Sequence, residues 1–105
     1  MAKIVKFARI YITEGKRDTD DGNLFRALFK TLRETHRIHA MTVFRGVSGF
    51  GARGQVHASD LLRLTADLPL VLEFFDEPDK VDAAIENLSP HLVPGHIVTW
   101  MAECH

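Results

Sequence analysis

Two helical patterns alternate with four strand-like runs, and this order constrains the fold more than any other feature of the chain. The first helical pattern, 23–36, carries apolar residues at helical spacing. The second begins at Pro78, a residue favoured at the first helical position, and ends before Pro94. Runs rich in β-branched and aromatic residues predict strands at 4–12, 40–46, 68–76 and 96–102. The predicted order of elements is therefore β-α-β-β-α-β.

That order predicts an α+β, ferredoxin-like βαββαβ sandwich with a four-stranded antiparallel sheet. Right-handed crossovers place its two helices on one face of the sheet and leave the other face bare. The first strand carries apolar residues on both faces, which is typical of a central strand. Apolar residues on the bare face require a partner, so we expect the 105 residues to form a single domain that assembles with copies of itself.

Composition restricts the partners of such a domain. The formal net charge is −1, which predicts no general attraction to nucleic acid. The single cysteine, Cys104, favours a reducing compartment. No apolar run approaches the length of a membrane span, and the N-terminal residues do not resemble a signal peptide. We expect a cytoplasmic protein without membrane insertion.

A glycine-rich segment follows the second predicted strand. Its density of glycine predicts a mobile or sharply turning loop over 47–59, which begins after Arg45. The segment is either a plain hairpin loop or a ligand-binding loop, and it does not contain a P-loop sequence. Phe50 lies among the glycines and either anchors a partner or tucks against a neighbouring subunit. The glycines are Gly46, Gly49, Gly51 and Gly54.

Arg45 and Glu73 are the charged residues of greatest interest. The Arg45 guanidinium is suited to a phosphate or carboxylate ligand, and it could instead pair with Glu73 or Glu103. Glu73 interrupts an apolar strand and needs a partner, for which Arg9, Arg45 and Arg63 are candidates. No set of residues has a spacing that indicates a nucleophile with a base, and no metal-ligand motif is present in the sequence. We therefore expect that the protein is not an enzyme and that it uses no cofactor or metal.

The segment Thr42–Gly51, with the pattern Arg-Gly-x-x-Gly-Phe-Gly, resembles an uncharacterised prokaryotic family of PII-like proteins. His57, Leu68–Glu73, the opening Arg9–Ile12 and Leu61–Leu64 fit the same family, so the resemblance covers nearly the whole chain. It implies ferredoxin-like trimers related to PII signalling proteins and to CutA-type proteins.

The resemblance also implies a function. A PII-like regulatory protein would bind a small anionic ligand, such as a nucleotide, in clefts between subunits, while the 47–59 loop contacts a target protein such as a transporter. The connector 93–96 lacks the glycine-and-lysine phosphate-binding sequence of PII proteins. The alternative is a CutA-like metal-binding or metal-tolerance protein with histidine ligands. By position, the implied ligand-binding residues are Arg45, Gly46, Gly49, Phe50, Gly51, Gly95 and His96.

Overall fold

The computed structural model describes residues 2–13, 24–46, 48–50, 56–58, 69–92 and 95–105. The strands in these ranges are β1 (Lys3–Thr13), β2 (Ala40–Arg45), β3 (Ser48–Phe50), β4 (Val56–Ala58), β5 (Pro69–Asp76) and β6 (Ile97–Cys104). The helices are α1 (Leu24–Lys30) and α2 (Pro78–Leu88). A π-helical turn, Thr31–Thr35, extends α1, and a 3₁₀ turn, Ser89–His91, extends α2.

Four of the strands form one sheet in the order β2-β5-β1-β6, and every neighbouring pair is antiparallel. This order confirms the predicted ferredoxin-like α+β arrangement, in which the first and third long strands are central. The strands β2 and β6 are the two edges of this sheet. β3 and β4 form a separate antiparallel pair, in which Gly49 lies opposite His57.

One face of the central strands is packed against both helices. Alternate residues of β1 and β5 are buried on this face, as the period of two in a strand requires. Each helix contributes one buried stripe to the same core, at the spacing of an amphipathic helix. No helix within the described ranges has both the length and the apolar character needed to cross a bilayer. The core residues of the strands are Ala8, Ile10, Ile12, Leu70, Leu72 and Phe74, and those of the helices are Leu24, Leu28, Leu32, Val81, Ala84 and Leu88.

The first helix differs from its prediction in its last turns. A regular α-helix was expected to His36, but the turns after Lys30 are π-helical, and the His36 amide donates to the Thr31 carbonyl at 3.1 Å. The chain then reverses through Arg37, which adopts a left-handed conformation with φ of 49°. The Ile38 amide donates to the Leu32 carbonyl at 3.0 Å, so this reversal is closed by backbone bonds.

The segment predicted as a loop over 47–59 also differs, because β3 and β4 pair within it. Residues 47, 51–55 and 59, including the predicted ligand residue Gly51, lie outside the described residues, as do 93 and 94 of the predicted connector. Pro78 begins α2 as predicted. Before it, Glu77 is the N-cap residue; its side chain makes no capping bond, and its backbone carbonyl accepts from the amides of Lys80 and Val81 at 3.0 Å.

The Asp76 carboxylate joins the end of β5 to two other parts of the fold. One oxygen accepts the Glu77 amide at 2.8 Å, and the other accepts the His39 amide at 2.8 Å. Lys80 lies 3.3 Å from the same carboxylate and donates to the Arg37 carbonyl at 2.7 Å. Burial raises the pKa of Asp76, but these backbone and Lys80 hydrogen bonds outweigh it and hold that pKa below its ordinary value.

We expect Asp76→Asn to lower the free energy of unfolding by about 1.5–3 kcal/mol at pH 7, because hydrogen bonds to a carboxylate are lost. The stabilisation is present above the unfolded pKa of aspartate and is lost as pH falls through the lower folded pKa. Urea unfolding at pH 7 and at pH 3 measures this, and the difference between wild type and variant should narrow at pH 3.

The matched control is Asp82→Asn, since Asp82 pairs with Lys6 from a side chain that is 55% exposed. An exposed pair of this kind contributes between zero and about 1 kcal/mol. Equal losses in the two variants would contradict the role assigned to Asp76.

Candidate functional site

The predicted ligand-binding residues lie on opposite edges of the sheet. Arg45 ends β2 at one edge, and Gly46 follows it. Gly95 and His96 precede β6 at the other edge. Three strand spacings separate these edges, which places the two groups about 14 Å apart within one chain. The two groups therefore do not meet within a single chain.

Both groups nevertheless lie at the same end of the sheet. Arg45 is opposite Leu70 on β5, and Leu70 is opposite Ile12 on β1. At the other edge, Ile97 is opposite Ile10 on the same strand β1. Arg45 and the residues before Ile97 are thus level with the last residues of β1.

Arg45 lies on the helix side of the sheet. Residues directly opposite each other on neighbouring strands share a face, and the side chain of Leu70, opposite Arg45, is buried against the helices. Arg45 itself is exposed, and Gly46 is half-buried. Gly49 and Phe50 lie on β3, which follows Gly46 after one residue.

A groove of about 480 Å³ lies between α2 and β6, on the same side of the sheet as Arg45. Its volume is within the range of small-molecule sites. Ser89 donates its hydroxyl to the Ile85 carbonyl at 2.7 Å, and Lys6 donates to Asp82 at 2.6 Å. The groove combines these polar groups with apolar side chains and a glycine. Its lining residues are Lys6, Asp82, Ile85, Ser89, Leu92, Gly95, Ile97 and Thr99.

Gly95 is the predicted site residue that lines this groove. Its φ of 89° is a conformation that residues with a side chain rarely adopt, and nothing lies within 4 Å of the position a Cβ would occupy. The next residue, His96, is fixed to the sheet, because its carbonyl accepts the Tyr11 amide at 2.9 Å. Gly95 therefore borders the groove at the point where the chain enters β6.

The opposite, bare face of the sheet carries a second candidate surface. It consists of the alternate strand residues that point away from the helices. The Phe7 ring is stacked between Phe75 and Trp100, with centroid distances of 4.8 Å and 5.1 Å. Large apolar side chains on this face remain exposed, to 38% for Tyr11, 49% for Phe44, 48% for Val98 and 37% for Trp100. Trp100 therefore does not belong to the buried core of the chain.

Glu73 finds its partner on this bare face. Among the candidates from the sequence, Arg9 binds it, with Nε at 3.1 Å and Nη2 at 2.5 Å from Oε1, while Arg63 lies outside the described residues. The Arg9 guanidinium also lies 5.3 Å from the centroid of the Trp100 ring. Arg45 is therefore not the partner of Glu73. The aromatic stack and this ion pair depend on the register of β1 with β5 and β6, which the sequence pattern does not specify.

The histidines of the described ranges serve other contacts. His36 Nε2 accepts from the Asn87 amide group at 3.0 Å, and the His39 ring lies 6.2 Å from that of Phe75. Among the described residues, no group of three or more histidine, cysteine or acidic side chains is placed to hold a metal ion. The side chain of His57 lies outside the described part of the structure.

Comparison with known proteins identifies the family. The DUF190 family, described as "Uncharacterized ACR", matches residues 5–104. The chain belongs to the DUF190 family. This DUF190 chain is also 27% identical over 100 residues to a UPF0166 protein of Methanocaldococcus jannaschii, a match that covers 95% of this chain and 89% of the relative.

Solved structures similar to this DUF190 chain share its fold. CPII from Thiomonas intermedia K12, solved with ADP and bicarbonate, superimposes with a TM-score of 0.67 at 12% identity, covering 99% of this chain and 89% of CPII. CutA1 from Oryza sativa superimposes with a TM-score of 0.58 at 8% identity, covering 99% and 83% of the two chains. The predicted relation to PII-like and CutA-type folds is thus confirmed.

We expect Gly95→Ala to lower the free energy of unfolding by about 1 kcal/mol, because alanine is strained at this positive φ although space for its methyl group exists. Gly95→Asn is the matched control, since asparagine tolerates positive φ better than alanine does. Urea unfolding of the two variants measures the difference. An alanine variant as stable as wild type would contradict the conformation assigned to Gly95.

Proposed function

We propose that this protein is a cytoplasmic PII-like regulatory protein rather than an enzyme. Copies of the chain form a homotrimer, and a small anionic ligand binds in the clefts between them. The observation that carries this proposal is the position of Arg45–Gly46 and Gly95–His96 at one end of the sheet but on opposite edges. Such a site is incomplete in one chain and complete between two.

The strand directions support a cleft of this kind. β2 runs parallel to β1, because each is antiparallel to β5, whereas β6 runs antiparallel to β1. When copies stand side by side in a head-to-tail ring, β6 of one copy meets β2 of the next as an antiparallel neighbour. Arg45 of one copy then approaches Gly95 and the groove of the next copy, on the helix side of both sheets.

The chemistry of the two halves is complementary. Arg45 supplies a permanent positive charge with planar donors, which suits a phosphate, carboxylate or bicarbonate group. The groove beside Gly95 supplies apolar side chains and hydroxyl groups for the body of a ligand. The structural neighbour CPII is bound to ADP and bicarbonate, both of which are anions. We propose ligands of this class for the present chain.

The proposed cleft also lies next to the β3–β4 hairpin. Arg45 and Gly46 lead directly into β3, the first strand of the β3–β4 hairpin. A ligand held by Arg45 therefore sits at the base of the segment 47–59. We propose that ligand binding changes how this segment is presented to a target protein, such as a transporter, as in other switches that order or release a segment.

We expect Arg45→Ala to weaken binding of ADP, AMP or bicarbonate roughly tenfold to a hundredfold. This factor corresponds to the loss of a hydrogen bond to a charged group, which contributes about 1.5–3 kcal/mol. Thermal unfolding with and without each ligand measures the loss, since a ligand that binds the native state raises the melting temperature. Arg33→Ala is the control, because Arg33 is an exposed arginine in the π-helical turn after α1.

Two results would contradict the proposal. Light scattering that gives the mass of a single chain would remove the cleft between copies. Equal ligand responses in the Arg45 and Arg33 variants would remove Arg45 from the site. Stabilisation by Zn²⁺ or Cu²⁺, with no response to any anion, would favour the CutA-like metal-binding alternative instead.

Mixed assemblies test whether the two halves come from different copies. Thr99→Trp should fill the groove, which Thr99 lines. We expect no sites of wild-type affinity in Arg45→Ala alone or in Thr99→Trp alone. An equimolar co-expressed mixture should regain about a quarter of the clefts, because each cleft draws its halves from two chains at random. Calorimetric titration of the mixture counts the sites, and a mixture without any sites would place both halves in one chain.

A further inference from the structure

An ion pair occupies the middle of the bare face. Arg9 and Glu73 lie directly opposite each other on the central strands β1 and β5. Their flanking residues in sequence, Ala8, Ile10, Leu72 and Phe74, are all fully buried on the other face of the sheet. The side chains of Arg9 and Glu73 are 38% and 19% exposed, so the pair is partly covered by its aromatic neighbours but still reaches the surface.

Four residues form a row across the bare face at this level. Thr42 on β2 is opposite Glu73, Glu73 is opposite Arg9, and Arg9 is opposite Val98 on β6. The two longest side chains of the row are thus the charged ones, and they stand on the midline of the face. Both hydrogen bonds that Glu73 accepts from Arg9 go to Oε1, which differs from a fork that uses both oxygens.

A second copy of this chain is the occupant that the bare face fits. Its exposed aromatic and aliphatic side chains favour burial. The charges of Arg9 and Glu73 cancel, so the centre of the face offers no net charge to a nucleic acid or to an anionic lipid surface. An identical face supplies both the apolar surface and one charge of each sign.

The order of the strands then dictates how the charges are arranged in the proposed head-to-tail ring. Within each copy Glu73 stands on the β2 side and Arg9 on the β6 side. Around the ring, negative and positive charges therefore alternate from one copy to the next, with the uncharged Val98 and Thr42 between one pair and the next. Three copies give twelve strands and a ring radius of about 9–11 Å, a space that long side chains on the inner face can bridge.

We propose that the Arg9–Glu73 pairs of the copies join into one alternating ring of charges on the axis of the assembly, and that this ring enforces the head-to-tail order. The proposal rests on the assembly described under the proposed function. Glu73 Oε2 is the oxygen that accepts from Arg9 of the adjacent copy. A copy placed in the wrong order brings like charges together in an apolar surrounding, which costs several kcal/mol.

Charge exchange tests this ring with chains that keep their own ion pair. The double variant Arg9→Glu/Glu73→Arg retains one charge of each sign, and it should form homotrimers. Next to a wild-type copy, however, it brings two like charges together at each junction. We therefore expect co-expressed wild-type and exchanged chains, distinguished by mass in native mass spectrometry, to form mixed trimers about tenfold or more below the statistical proportion.

The single variants provide the second measurement. Arg9→Glu alone and Glu73→Arg alone each place like charges in one chain, and neither should assemble by itself. Co-expressed, they should form trimers containing both chains above the statistical proportion, because a 2:1 trimer has two junctions of opposite charge and one of like charge, whereas a single-variant homotrimer has three of like charge. This second measurement does not depend on whether the double variant Arg9→Glu/Glu73→Arg folds.

The outcomes separate the two proposals. Statistical mixing of wild-type and exchanged chains, or mixed trimers of the two single variants in no more than the statistical proportion, overturns the charged ring while the trimer and its ligand clefts stand. A wild-type chain that is monomeric overturns both the ring and the proposed assembly. The ring is supported if wild-type and exchanged chains form separate trimers and if the two single variants assemble together. Ligand binding by the wild-type trimers is tested independently with the Arg45 variant.

Discussion

The antiparallel pairing of β1 with β5 is the interaction on which the rest of this structure depends. These two central strands carry apolar residues on both faces, and the two helices cover one face only. The covered face holds the core of the chain, in which Ile10, Leu72 and Phe74 are fully buried. The bare face holds an aromatic stack and an ion pair that the register of β1 with its neighbours brings together. The pairing of these two strands thus produces a buried core on one face and an exposed, partly apolar surface on the other.

The sequence predicted the features that depend on local periodicity. The alternating and helical patterns were sufficient for the order of elements, the central position of β1 and the start of α2 at Pro78. The π-helical turn at Thr31–Thr35 was missed, because a π-turn changes the hydrogen-bond spacing without changing the apolar stripe. The β3–β4 pair was missed because glycine has low strand propensity, which hides short strands.

The candidate site stays a prediction, because the sequence alone does not place its residues relative to one another. The glycine-rich segment after β2 indicated Arg45 and the family resemblance indicated Gly95, but their separation depends on which strands are edges, and that is a property of the whole sheet. The partner of Glu73 was similarly undetermined, since three arginines satisfied the need for a positive charge. Cross-strand register selected Arg9. Residue types therefore indicated the chemistry, while topology decided which groups can act together.

A site divided between the two edges of a sheet has a thermodynamic consequence. A ligand that binds only where β2 of one copy meets β6 of another stabilises the assembly by mass action, and assembly raises ligand affinity by the same factor. In the proposed assembly the interface would also include the bare face, whose exposed Phe44, Val98 and Trp100 would contribute apolar burial without any ligand. If that burial holds the copies together in the absence of ligand, ligand binding is not needed for assembly. Its free energy can then shift the conformation of the cleft and of the β3–β4 hairpin beyond Arg45. In such a protein the apolar inner face would hold the subunits together and the polar edges would bind the ligand. The protein could therefore respond to a ligand without changing its number of subunits.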